Sequence, residues 1–236
     1  MMAFVLATPT AHAQKKPRDN FGKEFWVAYG PNLGGGEDQN VMDLYITSRV
    51  QARGAVEVTG LSFYQTFTTT PGQITTIHLP NGLGGNTPTV ELQEDMDEQI
   101  ISGLAVHVTS DSDVAVFGLN HKKFSSDAFM GLPNDVLGTE YRTMNYVASS
   151  PTASGANGDL TPCEFWFIAV HDSTNVTVTL KQASQAHAAN TPFQLKMNKG
   201  DVYLIEGAAE YKNDLTGSLI ESDQPIAVFS GHRRTT

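Results

Sequence analysis

A period-two alternation of apolar and polar residues runs through this chain and leaves little room for helices. Val176, Val178 and Leu180 alternate with Thr177, Thr179 and Lys181; Val56 and Val58 alternate with Glu57 and Thr59; Val106 and Val108 flank His107. Successive side chains of a strand point to opposite faces, so each stretch reads as a strand with one face buried. The residues that close strands lie between them: Pro31-Asn32, Gly34-Gly35-Gly36, Pro71-Gly72, Asn81-Gly82, Gly84-Gly85-Asn86, Asn157-Gly158-Asp159 and Asn198-Lys199-Gly200. No window holds a sustained helical stripe. Residues 183–189 come nearest, but they lack a cap and a large apolar face and read as a loop.

Laying the halves over each other adds a second level of order. Gly22-Lys23-Glu24-Phe25 recurs as Gly138-Thr139-Glu140-Tyr141, Leu44-Tyr45-Ile46 as Phe165-Trp166-Phe167, and Val56-Glu57-Val58-Thr59 as Val176-Thr177-Val178-Thr179. Gly72-Gln73-Ile74 matches Gly200-Asp201-Val202, and Ser110-Asp111-Ser112-Asp113-Val114-Ala115-Val116-Phe117 matches Ser222-Asp223-Gln224-Pro225-Ile226-Ala227-Val228-Phe229. The matches keep one order at nearly constant spacing, which chance would scramble. The expected fold class is all-β: two tandem, internally duplicated antiparallel β-sandwich units, joined without crossover helices. The expected boundaries are a signal-peptide remnant at 1–13, a linker at 14–20, a first sandwich at 21–134 and a second at 135–236.

The strongest match has a mechanical reading. Asp111 and Asp223 are placed to bond backbone N–H groups two residues on, as Asx-turns, ahead of a fully apolar strand. That strand, 114–117 or 226–229, is apolar on both faces and is expected to be central in its sheet. Pro225 stands at its first position, where a missing donor costs least.

Composition narrows the function. Of 236 residues, 40% are hydrophobic, and 25 acids against 15 bases give a formal charge of −10. That balance disfavours a grip on a phosphate backbone or an anionic membrane, and no apolar run is long enough to span a bilayer. Neither nucleic acid nor membrane insertion is expected. Residues 1–13 are small or apolar and end in Ala11-His12-Ala13, an A-x-A cleavage site before Gln14, so a secreted or cell-surface location is expected. Cys163, the single cysteine, can form no bridge within the chain; burial, an external partner and reactivity compete to explain it, and its acidic neighbour Glu164 argues against a reactive thiolate. Asn175-Val176-Thr177 is a glycosylation sequon at the opening of a strand.

Reactive constellations are missing from the sequence. The seven histidines, at 12, 78, 107, 121, 171, 187 and 232, show no H-E-x-x-H, no H-x-H and no pairing with cysteine at zinc spacing. His78 and His107 read as structural imidazoles. Phosphate-cradling and serine-elbow motifs are absent as well. Glu37-Asp38-Gln39-Asn40 with Asp43, Glu94-Asp95-Met96-Asp97-Glu98, and Asp111-Ser112-Asp113 offer oxygen ligands for calcium, yet none follows the EF-hand loop. Phe25-Trp26 and Phe165-Trp166 each set adjacent aromatics on a strand: one ring of each pair faces a core, the other faces outward or toward the second unit. No catalytic residue, cofactor or metal is expected, and no binding residue is legible.

Gly22-Lys-Glu-Phe-Trp-Val-Ala, Leu44-Tyr-Ile-Thr-Ser, Gly118-Leu-Asn-His-Lys with Ser126-Asp-Ala-Phe-Met-Gly-Leu-Pro133, Gly138-Thr-Glu-Tyr, and Ser222-Asp-Gln-Pro-Ile-Ala-Val-Phe-Ser-Gly-His232 resemble the N-terminal domain of IgGFc-binding proteins, and the export signal is of bacterial style. The resemblance implies a secreted or surface-displayed, non-catalytic binding or adhesion module for a protein or glycan, with no residue-level binding motif to carry over. The alternatives are a carbohydrate-active or peptide-hydrolysing enzyme fragment, with paired carboxylates in a cleft, and a passive spacer of a larger surface protein. After Ser230-Gly231-His232 the family pattern continues with a cysteine and a further strand, so the second unit is expected to be truncated and Cys163 to lack its partner.

Overall fold

The computed structural model describes residues 19–32, 40–82, 88–123, 125–148, 161–208, 210 and 212–233. Residues 1–13, expected to be a signal-peptide remnant, the glycine-rich turns expected at 34–36 and 84–86, the acids Glu37 and Asp38, and the turn expected at 157–159 lie outside the described residues. Among those described, the regular structure is strands joined by turns, with three short 3-10 segments. The first half holds β1 (Gly22–Val27), β2 (Val41–Ser48), β3 (Arg53–Val58), β4 (Phe63–Thr68), β5 (Ile74–His78), β6 (Ile100–Ile101), β7 (Val106–His121) and β8 (Ser126–Gly131). The second holds β9 (Gly138–Arg142), β10 (Cys163–Ala169), β11 (Thr174–Thr179), β12 (Phe193–Met197), β13 (Val202–Glu206) and β14 (Leu219–His232). All the strand pairings are antiparallel.

One long strand organises each unit by serving two sheets in turn. The first part of β7 lies between β1 and β3, with β4 beyond β3; from Val114 onward it lies between β2 and β8, with β5 beyond β2. β14 does the same: Leu219–Ser222 lies between β11 and β9, and from Ile226 the strand runs beside β10, with β13 beyond. The changeover falls on the repeated Ser-Asp element. Ser110 Oγ donates to the Ser112 carbonyl, and Ser222 Oγ donates to the Gln224 carbonyl at 2.7 Å. The two aspartates depart from the expected Asx-turn: Asp111 accepts the Arg53 N–H and Asp223 the Asn175 N–H, both at 2.9 Å, across to the neighbouring strand. The chain bends where the ladder changes partners, and the carboxylate takes the N–H that the ladder leaves unpaired.

The ladders place the halves in register. Leu44 lies opposite Gly118 and Phe165 opposite Ser230; Ile77 pairs with Leu44 as Ile205 pairs with Phe165. Gly22 faces Val114 as Gly138 faces Ile226, each with a bulge directly after. Gly72 and Gly200 open the same turn, both at positive φ (72° and 85°), where a side chain is strained. One sequence match is shifted by two residues: Val56 lies opposite Val108, while its positional counterpart opposite Ile220 is Val178, not Val176. A two-residue slip keeps every side chain on its face, so alternation alone does not detect it.

Three apolar clusters hold the molecule together. Phe25, Val27, Leu44, Ile46, Val108 and Val116 fill the first unit, and Phe165, Phe167, Val176, Val178, Ile205 and Ile220 fill the second. The third lies between the units and joins Trp26, Ala28, Leu92 and Ile101 to Trp166, Ile168, Leu204 and Phe229. Burying each large side chain there stabilises the joint by roughly 1.5–3 kcal/mol. β6 also crosses, pairing with β13 although it precedes β7 in the chain. The apolar strand expected to be central is so in β7, flanked by β2 and β8. In β14, among the described residues, only β10 pairs with 227–232. Its apolar faces have another cause: one meets its own core and the other meets the first unit.

Candidate functional site

The junction between the units gathers the aromatic pairs singled out in the sequence. On β1, Phe25 turns into the first core and Trp26 into the junction; on β10, Phe165 turns into the second core and Trp166 into the same junction. Trp166 Nε1 donates to the Ala28 carbonyl at 3.1 Å, and its ring stacks on Phe229 at 5.7 Å between centroids. Glycines at 30 and 231 give the ring its room, since a Cβ there would come within 2.3 Å and 2.9 Å of it. Both tryptophan rings are covered by protein.

Beside Trp26 the junction opens into a polar cleft of about 230 Å³, lined in part by Glu57, Thr59, Ser102, His107, Lys199 and Asp201. Trp26 stacks on His107 with centroids 4.0 Å apart, and Lys199 Nζ lies 5.5 Å from the Trp26 ring centre. Glu24 Oε1 lies 3.0 Å from His107 Nε2 and accepts from Lys199 Nζ at 3.2 Å. Burial acts to raise the Glu24 carboxyl, but the bonds and charges of His107 and Lys199 outweigh it and hold it below the usual carboxylate range. Burial pushes the His107 imidazole down, against the pull of Glu24. Ser102 Oγ donates to Asp201 Oδ1 at 2.5 Å. These groups satisfy one another, which suits hydrogen bonding to a guest better than proton transfer.

A second polar cluster sits inside the second unit. Glu164 and Glu206 face each other across β10 and β13 and are 1% and 7% exposed. Burial first, and the Glu206 charge next, raise the Glu164 carboxyl well above its ordinary value. Asp97 accepts the Glu206 N–H at 2.9 Å, and burial raises it to about 6. Glu98 accepts from Ser184 Oγ and from the Ala186 N–H. The acidic loop around Asp97 is thus a strap fastened to the second unit. Among the described residues no group of three or more His, Cys, Asp or Glu is placed to hold a metal ion.

The remaining sequence candidates have structural partners. His78 Nδ1 lies 2.7 Å from Asp43 Oδ1 on the first unit's outer face. Cys163 is a buried free thiol, raised to about 11 by burial, with its Sγ accepting the Leu215 N–H at 3.4 Å. Asn175 of the sequon donates its Nδ2 to Asp223 at 2.6 Å. What the sequence did not single out is a set of exposed apolar side chains: Ile74 (68% exposed), Met130 (44%), Met144 (82%) and Tyr146 (58%). The signal was present in the repeat, because Met144 and Tyr146 continue the match of Gly138 to Gly22 and stand where the first half has Ala28 and Gly30.

Known proteins resemble part of this chain. The family described as IgGFc binding protein matches residues 127–236. The human IgGFc-binding protein is 29% identical over 132 residues, which cover 54% of this chain and 2% of the human protein. The chain therefore spans a small fraction of that relative's length. No solved structure matches. No helix among the described residues is long and apolar enough to cross a membrane.

Proposed function

We propose, from the match of residues 127–236 to the IgGFc binding protein family, that this chain is a non-catalytic exported binding or adhesion module for a protein ligand, made by duplication of one sandwich unit into copies at 21–134 and 135–236. The family match carries the reading. The shared registers of the two halves, with Leu44 and Phe165 or Ile77 and Ile205 in the same ladder positions, support the duplication. Ala11-His12-Ala13 supports export. A protein is favoured over a glycan because the similar family and the human relative are described by a protein ligand.

The test is binding of the chain from Gln14 onward to an immobilised immunoglobulin Fc fragment, run beside a glycan array and a panel of hydrolase substrates. Saturable binding to the protein is expected. Turnover of a hydrolase substrate without binding to Fc would reverse the reading, and binding confined to the glycans would replace its ligand.

A further inference from the structure

The contact that joins the two units has two halves, an edge and a face, and each half recurs on the surface at the opposite end of the molecule. The edge is the outward row of β1 and its continuation, Trp26, Ala28 and Gly30, while Phe25, Val27 and Tyr29 turn inward to their own core. The second unit repeats that row as Arg142, Met144 and Tyr146, all exposed, with Thr143 buried between. A bond fixes the correspondence: Tyr29 Oη donates to the carbonyl of Asp43, and Asn145 Nδ2 to the carbonyl of Glu164, which holds the ladder position of Asp43.

The face is the outer side of β10, β13 and the last part of β14, where Trp166, Ile168, Val202, Leu204 and Phe229 are covered by the first unit. The ladders place Tyr45, Thr47, Ile74, Thr76 and Phe117 at the same positions on β2, β5 and β7. There Ile74 on β5 and, at the other side of the sheet, Met130 on β8 opposite Phe117 are exposed. The turn at the rim repeats the pattern: a Cβ at Gly200 would meet the Trp26 ring at 3.1 Å, whereas one at Gly72 would meet nothing within 4 Å.

Volumes complement each other between the free edge and the free face. The edge is larger than its docked counterpart, with Met144 for Ala28 and Tyr146 for Gly30. The face is smaller, with Tyr45 for Trp166, Thr47 for Ile168 and Thr76 for Leu204. We propose that a second copy of this chain seats its Arg142, Met144 and Tyr146 edge on the Tyr45, Ile74, Phe117 and Met130 face of the first, repeating between chains the contact that joins the units within one. Edge and face are different surfaces, so the contact is heterologous and assembly is head to tail and open-ended.

Sedimentation of the whole chain over a dilution series tests this. The average mass should grow past that of a dimer with concentration, and Met144→Arg (or Tyr146→Arg) and Ile74→Asp should each abolish the growth while leaving the circular dichroism and melting curve unchanged. Mixed in equal amounts, Met144→Arg keeps a free face and Ile74→Asp a free edge, so the two should form a one-to-one pair and nothing larger. Three results would overturn the proposal: a wild-type chain that stays monomeric at every concentration, as when a neighbouring unit of a longer chain is what covers the face; a closed dimer that survives both substitutions; or a mixture that stays monomeric.

Discussion

The two units share one ladder and differ in what lies on its outer side. In the first, the position pair across β2 and β5 is Asp43 with His78, a buried acid 2.7 Å from an imidazole that is itself exposed. In the second, the same pair is Glu164 with Glu206, two acids closed beneath the first unit. Asp43 keeps an imidazole that reaches water, whereas Glu164 is set against a second buried acid, and burial first and the Glu206 charge next raise its carboxyl. The same difference runs through the apolar residues, with Ile74 open and Val202 covered. Identical strand positions therefore carry different chemistry because of docking, not because of the fold.

Equivalent substitutions should break this comparison unequally. Val202→Asp buries a charge in the junction and should cost at least about 4 kcal/mol, enough to unfold most of the chain, whereas Ile74→Asp should stay within about 0.5 kcal/mol in urea titrations. Trp26→Ala should destabilise by about 3–5 kcal/mol, and Arg142→Ala, at the same ladder position, by no more than about 0.5 kcal/mol. Gly72→Ala and Gly200→Ala both force a side chain to positive φ at a cost of roughly 1–2 kcal/mol. The Gly200 variant should be the worse of the two, because its Cβ also meets Trp26.

The loss of stability with rising pH should come chiefly from Glu164 and Asp97, opposed by His107 of the first unit, whose imidazole burial pushes down. Folding raises Glu164 and Asp97 above their unfolded values, so the folded state binds protons that the unfolded chain releases above about pH 4. The stability from these two groups is complete below that pH and declines as pH rises toward their raised folded values, through about 6 for Asp97. The melting temperature should therefore be higher at pH 5 than at pH 7.5, and Glu164→Gln with Asp97→Asn should flatten the difference. The smallest effect expected is a matched one: Asp111→Ala and Asp223→Ala should lower the melting temperature by small, similar amounts, since each removes one bond to a neighbouring strand.

Much of the fold was legible because strands write themselves at period two. The matches of Leu44 to Phe165, Gly72 to Gly200 and Val114 to Ile226 fall on true ladder positions, since turns and doubly buried strands tolerate few residue types. The match of Val56 to Val176 slipped because valine alternation looks the same two residues along. Asp111 and Asp223 misled because an aspartate ahead of a strand signals a local turn, while the N–H in need belonged to another strand. The pairing of one core ring and one junction ring in Phe25-Trp26 and Phe165-Trp166 followed from alternation alone. The Glu164–Glu206 pair and the free edge at Met144 did not, because burial by a neighbouring unit leaves no local mark; only the aligned halves set Met144 and Tyr146 beside Ala28 and Gly30.

The most direct measurement is hydroxyl-radical labelling of side chains in dilute solution, read residue by residue. Trp26 and Trp166 are intrinsically among the most reactive side chains, yet they should be protected as strongly as the core residues Phe25 and Phe165, while Met130, Met144 and Tyr146 label freely. Labelling of both tryptophans at the rate seen in the unfolded chain, with Met144 protected, would contradict the account.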